Sequence, residues 1–349
     1  MAFLRSPLSN RRRFLAWAGA LSLAPRLASA QQRPLKFADM HSHAGVGRRL
    51  DNLRALMADN GLLIVARAIA TDRPVTQTIK GRITVVREAQ PGELAANWDA
   101  RLVRLHESIR REGLAEIESA ATLDDVLAKR LPAAVIAAEG GDFLEGDLTR
   151  LANARNNGLA HLQLVHYRVS EIGDIATEAP RHNGLSAFGR EVVAACNRLG
   201  ILIDIAHGTG AVIEQTLDLS TRPVIYSHGQ MSSSQPYYTQ RVSSARSIHL
   251  PVARKVAQHG GVVGIWANGG SYPTLDRYAD ALLELAEAVG PAHAGIGTDM
   301  DGMTSMVVPT YREFSELAEV MTKRGVAAAD LDMMLGGNYI RVLKSALAV

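Results

Sequence analysis

Five residues whose side chains bind metals stand at the ends of short apolar runs: His41 and His43 in Asp39-Met40-His41-Ser42-His43, then Glu139, His207 and His228. Imidazole and carboxylate donors suit zinc, and a carboxylate can bridge two ions. His-x-His at the end of a strand turns both rings to one side, because side chains alternate with period two. Glu139 follows the apolar run Ala133–Ala138, where a carboxylate is costly to bury unless it is paired or binds a cation. The chemistry expected is metal-assisted hydrolysis. Water between two cations ionises near neutral pH, and the cations stabilise charge growing on an attacked carbonyl oxygen. Taken singly, each histidine reads as well as a hydrogen-bonded strand-end residue; the metal reading rests on their company.

Hydrolysis of an amide also needs a proton carrier and a second oxyanion donor. Asp299, in Gly297-Thr298-Asp299-Met300-Asp301-Gly302, suits the first role, while Asp301-Gly302 suits a turn. His166, ending Leu164-Val165-His166, could donate to the oxyanion or be structural. His106, His161, His182, His249, His259 and His293 lack such context and read as surface or helix-terminal residues. Cys196, the single cysteine, falls in a helical pattern and reads as a small buried apolar residue rather than a nucleophile.

Eight apolar runs can position these groups as strands: Leu35–His41, Leu62–Ala68, Ala133–Glu139, Leu159–His166, Ile201–Ala206, Pro223–His228, Gly261–Ala267 and Ala294–Asp299. Most are continuous rather than alternating, as in parallel strands buried on both faces. Amphipathic stretches separate them, among them the stripe Trp98, Leu102, Leu105 and Ile109, and a helix capped by Ser186 and ended by Gly200. The pattern predicts an α/β fold, a single-domain (β/α)8 TIM-type barrel, whose strand ends meet on one face. A doubly wound open sheet is the rival, but it would gather its site at one switch point. Residues 72–91, with Lys80-Gly81 amid β-branched residues, predict a hairpin-like insertion near the mouth of the site.

Residues 1–30 predict a twin-arginine-type export signal: Arg11-Arg12-Arg13-Phe14-Leu15, the apolar stretch Ala16–Ala24, and the cleavage site Ala28-Ser29-Ala30. The expectation is a periplasmic or secreted protein whose barrel domain occupies residues 31–349. The stretch is shorter than the ~20 residues a bilayer requires. Residues 1–30 carry five arginines and no acid, so the remainder has a formal charge of −2 rather than +3. No basic face for nucleic acid and no polybasic membrane patch remains.

Several segments together resemble the membrane (renal-type) dipeptidase family of the amidohydrolase superfamily. They are Glu139-Gly140-Gly141, Gly184-Leu185-Ser186 through Val193, Asn197-Arg198-Leu199-Gly200, Asp204-Ile205-Ala206-His207, Pro223 through His228, Gly295 through Gly302, and Gly336 through Val342. The resemblance implies a binuclear zinc dipeptidase on a (β/α)8 barrel, often a homodimer. By the same resemblance, His41 and His43 hold one zinc ion, Glu139 bridges, and His207 and His228 hold the other. His166 becomes the oxyanion-side histidine, Asp299 the proton-transferring aspartate, and Arg246 the group that binds the dipeptide's C-terminal carboxylate, for which a planar guanidinium fork is well suited.

The chain departs from the family at His43, where the family has aspartate, which raises the charge of the site by one. It also lacks the family's asparagine after His166 and serine after His228, and its loop Trp266–Tyr272 is glycine-rich. The function expected is a zinc-dependent dipeptidase that cleaves free dipeptides by a metal-bridging hydroxide. Alternatives are an amidohydrolase acting on another amide, a lactam or a lactone, and a non-enzymatic metal- or ligand-binding protein.

Overall fold

In the computed structural model of the chain, residues 36–46, 52–232 and 246–349 are described, and the export signal expected at 1–30 lies outside them. The strands are β1 (Phe37–Ser42), β2 (Leu62–Ala70), β3 (Thr76–Ile79), β4 (Arg82–Val85), β5 (Ala115–Glu116), β6 (Ala133–Glu139) and β7 (Leu159–Gln163). They continue with β8 (Leu202–Asp204), β9 (Ile225–Tyr226), β10 (Gln230–Ser232), β11 (Ser247–His249), β12 (Val262–Ile265) and β13 (Ala294–Ile296).

Eight of them form a parallel ring in the order β1-β2-β6-β7-β8-β9-β12-β13, with β5 alongside β6. The ring closes just beyond β13. Ser42 and Met300 form a parallel bridge, Asp299 N–H donates to the His41 carbonyl at 2.9 Å, and His43 N–H donates to the Met300 carbonyl at 2.8 Å. The fold is the expected (β/α)8 barrel and not an open sheet. Every residue of β2 and β6 is buried, which is why these runs lack alternation.

The outer layer follows the sequence pattern. Helix Glu93–Glu112 buries Trp98, Leu102, Leu105 and Ile109. In helix Ala187–Leu199 the Ser186 side chain accepts from Gly189 N–H, Gly200 ends the helix at φ 70°, and Cys196 is buried. The last helix, Asn338–Leu347, packs Tyr339, Ile340 and Leu343 in one core cluster with Ala38, Ile64, Leu202 and Val262, which lie towards the starts of their strands. That helix covers one end of the barrel, so side chains at the other end are left to build a site.

The insertion is a hairpin. β3 and β4 pair antiparallel from Thr76–Val85 to Ile79–Arg82, and the turn uses positive φ at Lys80 (51°) and Gly81 (78°), as tight two-residue hairpins require. Arg82 of the hairpin pairs with Glu178 at 2.9 Å. β10 and β11 form a separate two-stranded parallel pair beside the barrel. Among the described residues, no helix is long and apolar enough to cross a membrane.

Candidate metal centre

Glu139 is the last residue of β6 and is 2 % exposed. Imidazoles from four other strand ends converge on it, and its two oxygens face different sets. Oε1 lies 3.3 Å from His41 Nε2, 3.5 Å from His207 Nε2 and 3.7 Å from His228 Nε2. Oε2 lies 3.2 Å from His43 Nε2 and 3.3 Å from His166 Nε2. His207 and His228 bring their Nε2 atoms within 3.3 Å of each other, and the His41 ring stacks on His228 with centroids 3.9 Å apart. Asp299 reaches the cluster from beyond β13, with Oδ1 3.4 Å from His43 Nε2. All the predicted ligands and both predicted catalytic residues therefore meet at one point.

Backbone geometry produces this convergence. β7, β8, β9 and β13 stop earlier than their apolar runs, so His166, His207, His228 and Asp299 follow strand ends rather than closing ladders. His207 (φ 67°) and Asp299 (φ 55°) are left-handed, a conformation costly for non-glycine residues and concentrated at functional sites. Gly264 lets the segment after β9 approach closely. A Cβ on it would lie 1.9 Å from the Ser227 carbonyl oxygen, beside His228.

A second layer of buried carboxylates braces the cluster, Asp72 through a ring and Asp39 and Asp204 chiefly through the backbone, and sequence reasoning missed their roles. Asp72 accepts from His166 Nδ1 at 2.8 Å and from Tyr167 N–H at 3.0 Å. Asp39 accepts from Thr298 N–H at 2.8 Å, Thr298 Oγ1 at 2.6 Å and His41 N–H at 3.2 Å, tying β1 to β13. Burial pushes the Asp39 pKa up to about 6 against those hydrogen bonds. Asp204 accepts from Ala206 and Ser227 N–H, each at 3.0 Å, and lies 3.3 Å from His161 Nε2. His161 is thus not the surface or helix-terminal residue expected; it is a buried member of β7 paired with Asp204 of the neighbouring strand β8. His43 Nδ1 is 2.9 Å from the Ala68 carbonyl, so that nitrogen carries the hydrogen and leaves Nε2 as the donor atom.

The donor set fits a divalent cation. His41 Nε2 and Glu139 Oε2 are buried without a hydrogen-bond partner among the described residues. Burial, followed by the Arg246 charge at His207 and the His41 ring at His228, holds both imidazoles well below their ordinary pKa. They are neutral and offer lone pairs. Burial opposes a charge on His43, yet Glu139 and Asp299 push its pKa up to about 10; a field that holds a proton also holds a metal ion. Donor atoms of Glu139, His207 and His228, and those of His41, His43 and Asp299, each lie within 4.8 Å of one another.

Beside the cluster opens a cavity of about 500 Å³, lined by His43, Glu139, His166, His207 and Asp299 and walled by Tyr167, Trp266 and the β3–β4 hairpin. Arg246 also lines it, immediately before β11. Arg246 is 1 % exposed, its Nε and Nη1 have no hydrogen-bond partner among the described residues, and its guanidinium lies 5.5 Å from the centre of the Trp266 ring. An unpaired buried cation facing a cavity is a receptor for an anion.

The sequence model of the membrane dipeptidase family, peptidase family M19, matches residues 98–349. The chain is 29% identical to dipeptidase tcpJ of Claviceps purpurea over 221 residues, covering 61% of this chain and 50% of that protein. It is 27% identical to dipeptidase 3 of Mus musculus over 248 residues, covering 66% and 48% respectively. The chain thus spans about half the length of these curated relatives. Among solved structures it is similar to an amidohydrolase from Pseudomonas aeruginosa, at 21% identity and TM-score 0.74, over 90% of this chain and 97% of that one. A metallopeptidase from Rhodobacter sphaeroides bound to a phosphinate mimic of L-Ala-D-Ala is 18% identical with TM-score 0.72, over 90% and 100%.

Proposed function

Because this chain belongs to the membrane dipeptidase family, peptidase family M19, we propose that it is a zinc-dependent dipeptidase that hydrolyses the peptide bond of free dipeptides. The observation that carries this reading is the cavity shared by the Glu139–histidine cluster and the Arg246 guanidinium, whose Nε and Nη1 have no hydrogen-bond partner among the described residues. One supplies hydrolytic chemistry and the other a carboxylate receptor, and both line one cavity.

His41, His43, Glu139, His207 and His228 would hold two zinc ions, with Glu139 shared between them. Bound there, the ions supply Lewis acidity, which acidifies water and polarises the scissile carbonyl. Arg246 grips the C-terminal carboxylate with its planar fork, its guanidinium 5.5 Å from the centre of the Trp266 ring. Burial disfavours a charge on His166, but Asp72 and Glu139 raise its pKa, so His166 Nε2–H is a charge-assisted donor for the oxyanion. Asp299 Oδ1 accepts the proton lost by the attacking water and returns it to the leaving amine, which must depart protonated. Tyr167 and Trp266 wall the cavity beside the cluster.

Residues 1–30 are assigned as a twin-arginine export signal and residues 31–349 as the hydrolase domain, giving a periplasmic or secreted protein that acts as a monomer or homodimer. One observation favours a second reading. His43 stands where the family has aspartate, and a neutral ligand makes the site one charge more positive, which suits another amide, a lactam or a lactone. Assay of metal-loaded protein on L,L and L,D dipeptides, with and without a chelator, tests the first reading. Chelator-sensitive cleavage of dipeptides is expected, and inert loaded protein across the panel would overturn it.

A further inference from the structure

The cavity has a second cationic wall that the proposed chemistry leaves unused. Arg73, in the turn that follows β2, and Arg101, on helix Glu93–Glu112, line the same cavity as Arg246. Among the described residues neither has an acidic partner. Their neighbours differ, since Arg82 pairs with Glu178 and Arg87 with Glu93. Arg101 Nε is buried without a hydrogen-bond partner. Burial, and then the nearby guanidinium groups of Arg73 and Arg104, lower its pKa. The acids that line the cavity, Glu139, Asp299 and Asp301, belong to the metal cluster or to the turn after β13. A half-buried guanidinium facing other guanidinium groups, with no carboxylate beside it, is a site that an incoming anion would stabilise.

Topology sets where that anion lies. In the eight-strand ring, β2 and β9 stand on opposite sides. Arg73 is carried by the segment leaving β2. Arg246 is held at the β10–β11 pair that follows β9, its carbonyl accepting from Gln230 N–H at 3.1 Å. The Glu139 cluster draws ligands from strand ends around the ring and lies between the two cationic walls. A dipeptide whose terminal carboxylate sits on Arg246 and whose scissile carbonyl sits at the cluster directs its first residue towards Arg73 and Arg101. Thr76 and Gln77 of the hairpin add neutral hydrogen-bonding groups on that side.

We propose that Arg73 and Arg101 form a second anion-recognition site, on the acyl side of the scissile bond, and that the preferred dipeptides carry aspartate or glutamate as their first residue. This rests on the dipeptidase reading, and the experiment separates the two. Zinc-loaded protein is compared on L-Glu-L-Ala and L-Gln-L-Ala, which differ in charge but hardly in shape, for turnover and, by calorimetry, for equilibrium binding. The expected kcat/KM ratio favours L-Glu-L-Ala by about tenfold or more, the scale of a charge-assisted hydrogen bond. That ratio should fall towards one in Arg101→Met and invert in Arg73→Glu. Arg73 is exposed, so its variant tests the site even if Arg101→Met fails to fold. Equal use of both peptides by the parent protein, or a preference that neither variant moves, would overturn the second site while turnover upholds the dipeptidase. Preferential binding of L-Glu-L-Ala without cleavage of either would do the reverse, and absence of both turnover and preference would overturn the two together.

Discussion

The Nδ1 of His166 lies 2.8 Å from Oδ1 of Asp72, and the opposite ring nitrogen lies 3.3 Å from Glu139. The same aspartate accepts from the Tyr167 backbone N–H, so one buried carboxylate sets the orientation and the proton position of the ring and anchors the segment that carries it. Asp72→Asn keeps the shape and removes the charge. The expectation is a fall in kcat of roughly 10- to 100-fold, the usual cost of losing a partner behind a site residue, with KM and metal content little changed. Unaltered kcat in a folded, metal-loaded variant would remove His166 from the oxyanion role.

Asp299→Asn addresses proton transfer directly. The substitution leaves the His43 contact sterically intact but cannot carry a proton, so kcat should fall by about 10²–10⁴-fold. Elemental analysis should find the metal content of the parent protein. If the metal is lost in parallel, Asp299 acts as a ligand and the proton must travel elsewhere.

Arg246→Met keeps the contact with Trp266 and removes the fork. Loss of a charge-assisted pair is worth roughly 1.5–3 kcal/mol, so KM for dipeptides should rise by about 10- to 100-fold with a smaller change in kcat. A neutral lactone or lactam should be nearly indifferent. Equal effects on charged and neutral substrates would show that Arg246 supports the cavity wall and not the carboxylate.

Metal stoichiometry tests the two-ion assignment. Glu139 Oε1 faces His41, His207 and His228 while Oε2 faces His43 and His166; a carboxylate with donors at both oxygens can be shared, and the loaded protein should bind two zinc ions. His43→Ala should retain one, and His43→Asp should retain both. Chelation should lower Tm, since an ion that binds only the folded chain stabilises it by mass action. A single ion in the parent protein would reduce Glu139 from a bridge to a terminal ligand.

The pH dependence of stability should report on Asp142. Burial, and then the charge of Asp72, push its pKa up to about 7 from 3.8, against the pull of Arg168. The folded chain therefore keeps a proton that the unfolded chain has released. This contribution to stability is present below pH 3.8, declines as pH rises towards 7, and is level above that, amounting to at most about 4 kcal/mol. Asp142→Asn mimics the protonated group at every pH, so its Tm relative to the parent should climb between pH 4 and 7. A pH-independent difference would mean that Arg168 keeps Asp142 ionised throughout.

Much of this site was legible because each candidate ligand ends an apolar run, and a lone polar residue there needs a reason to be buried. The run Ala133–Glu139 coincides with β6 to the residue. Leu159–His166 and Ala294–Asp299 overshoot β7 and β13 by three residues each, because apolar composition marks burial and not the point where diverging strands cease to pair. Asp72 was hidden for a different reason. In Thr71-Asp72-Arg73-Pro74 it looks like an ordinary turn former, and its partner lies 94 residues away. His161 was misjudged likewise, since Asp204, 43 residues on, is what permits its burial. Arg73 and Arg101 carry no local signal either; only the return of their segments to one cavity gives them a common purpose.

The bridge between Ser42 and Met300, with Asp39 grasping Thr298, has a temporal consequence. His41 and Asp299 come from opposite ends of the chain, and their neighbourhood exists only after the last strand has met the first. A growing polypeptide that has not yet reached β13 would own His41, His43, Glu139, His207 and His228 but lack Asp299 and the strand that closes the ring. Binding of the proposed zinc ions would therefore be a late event, and its kinetics would time the sealing of the ring.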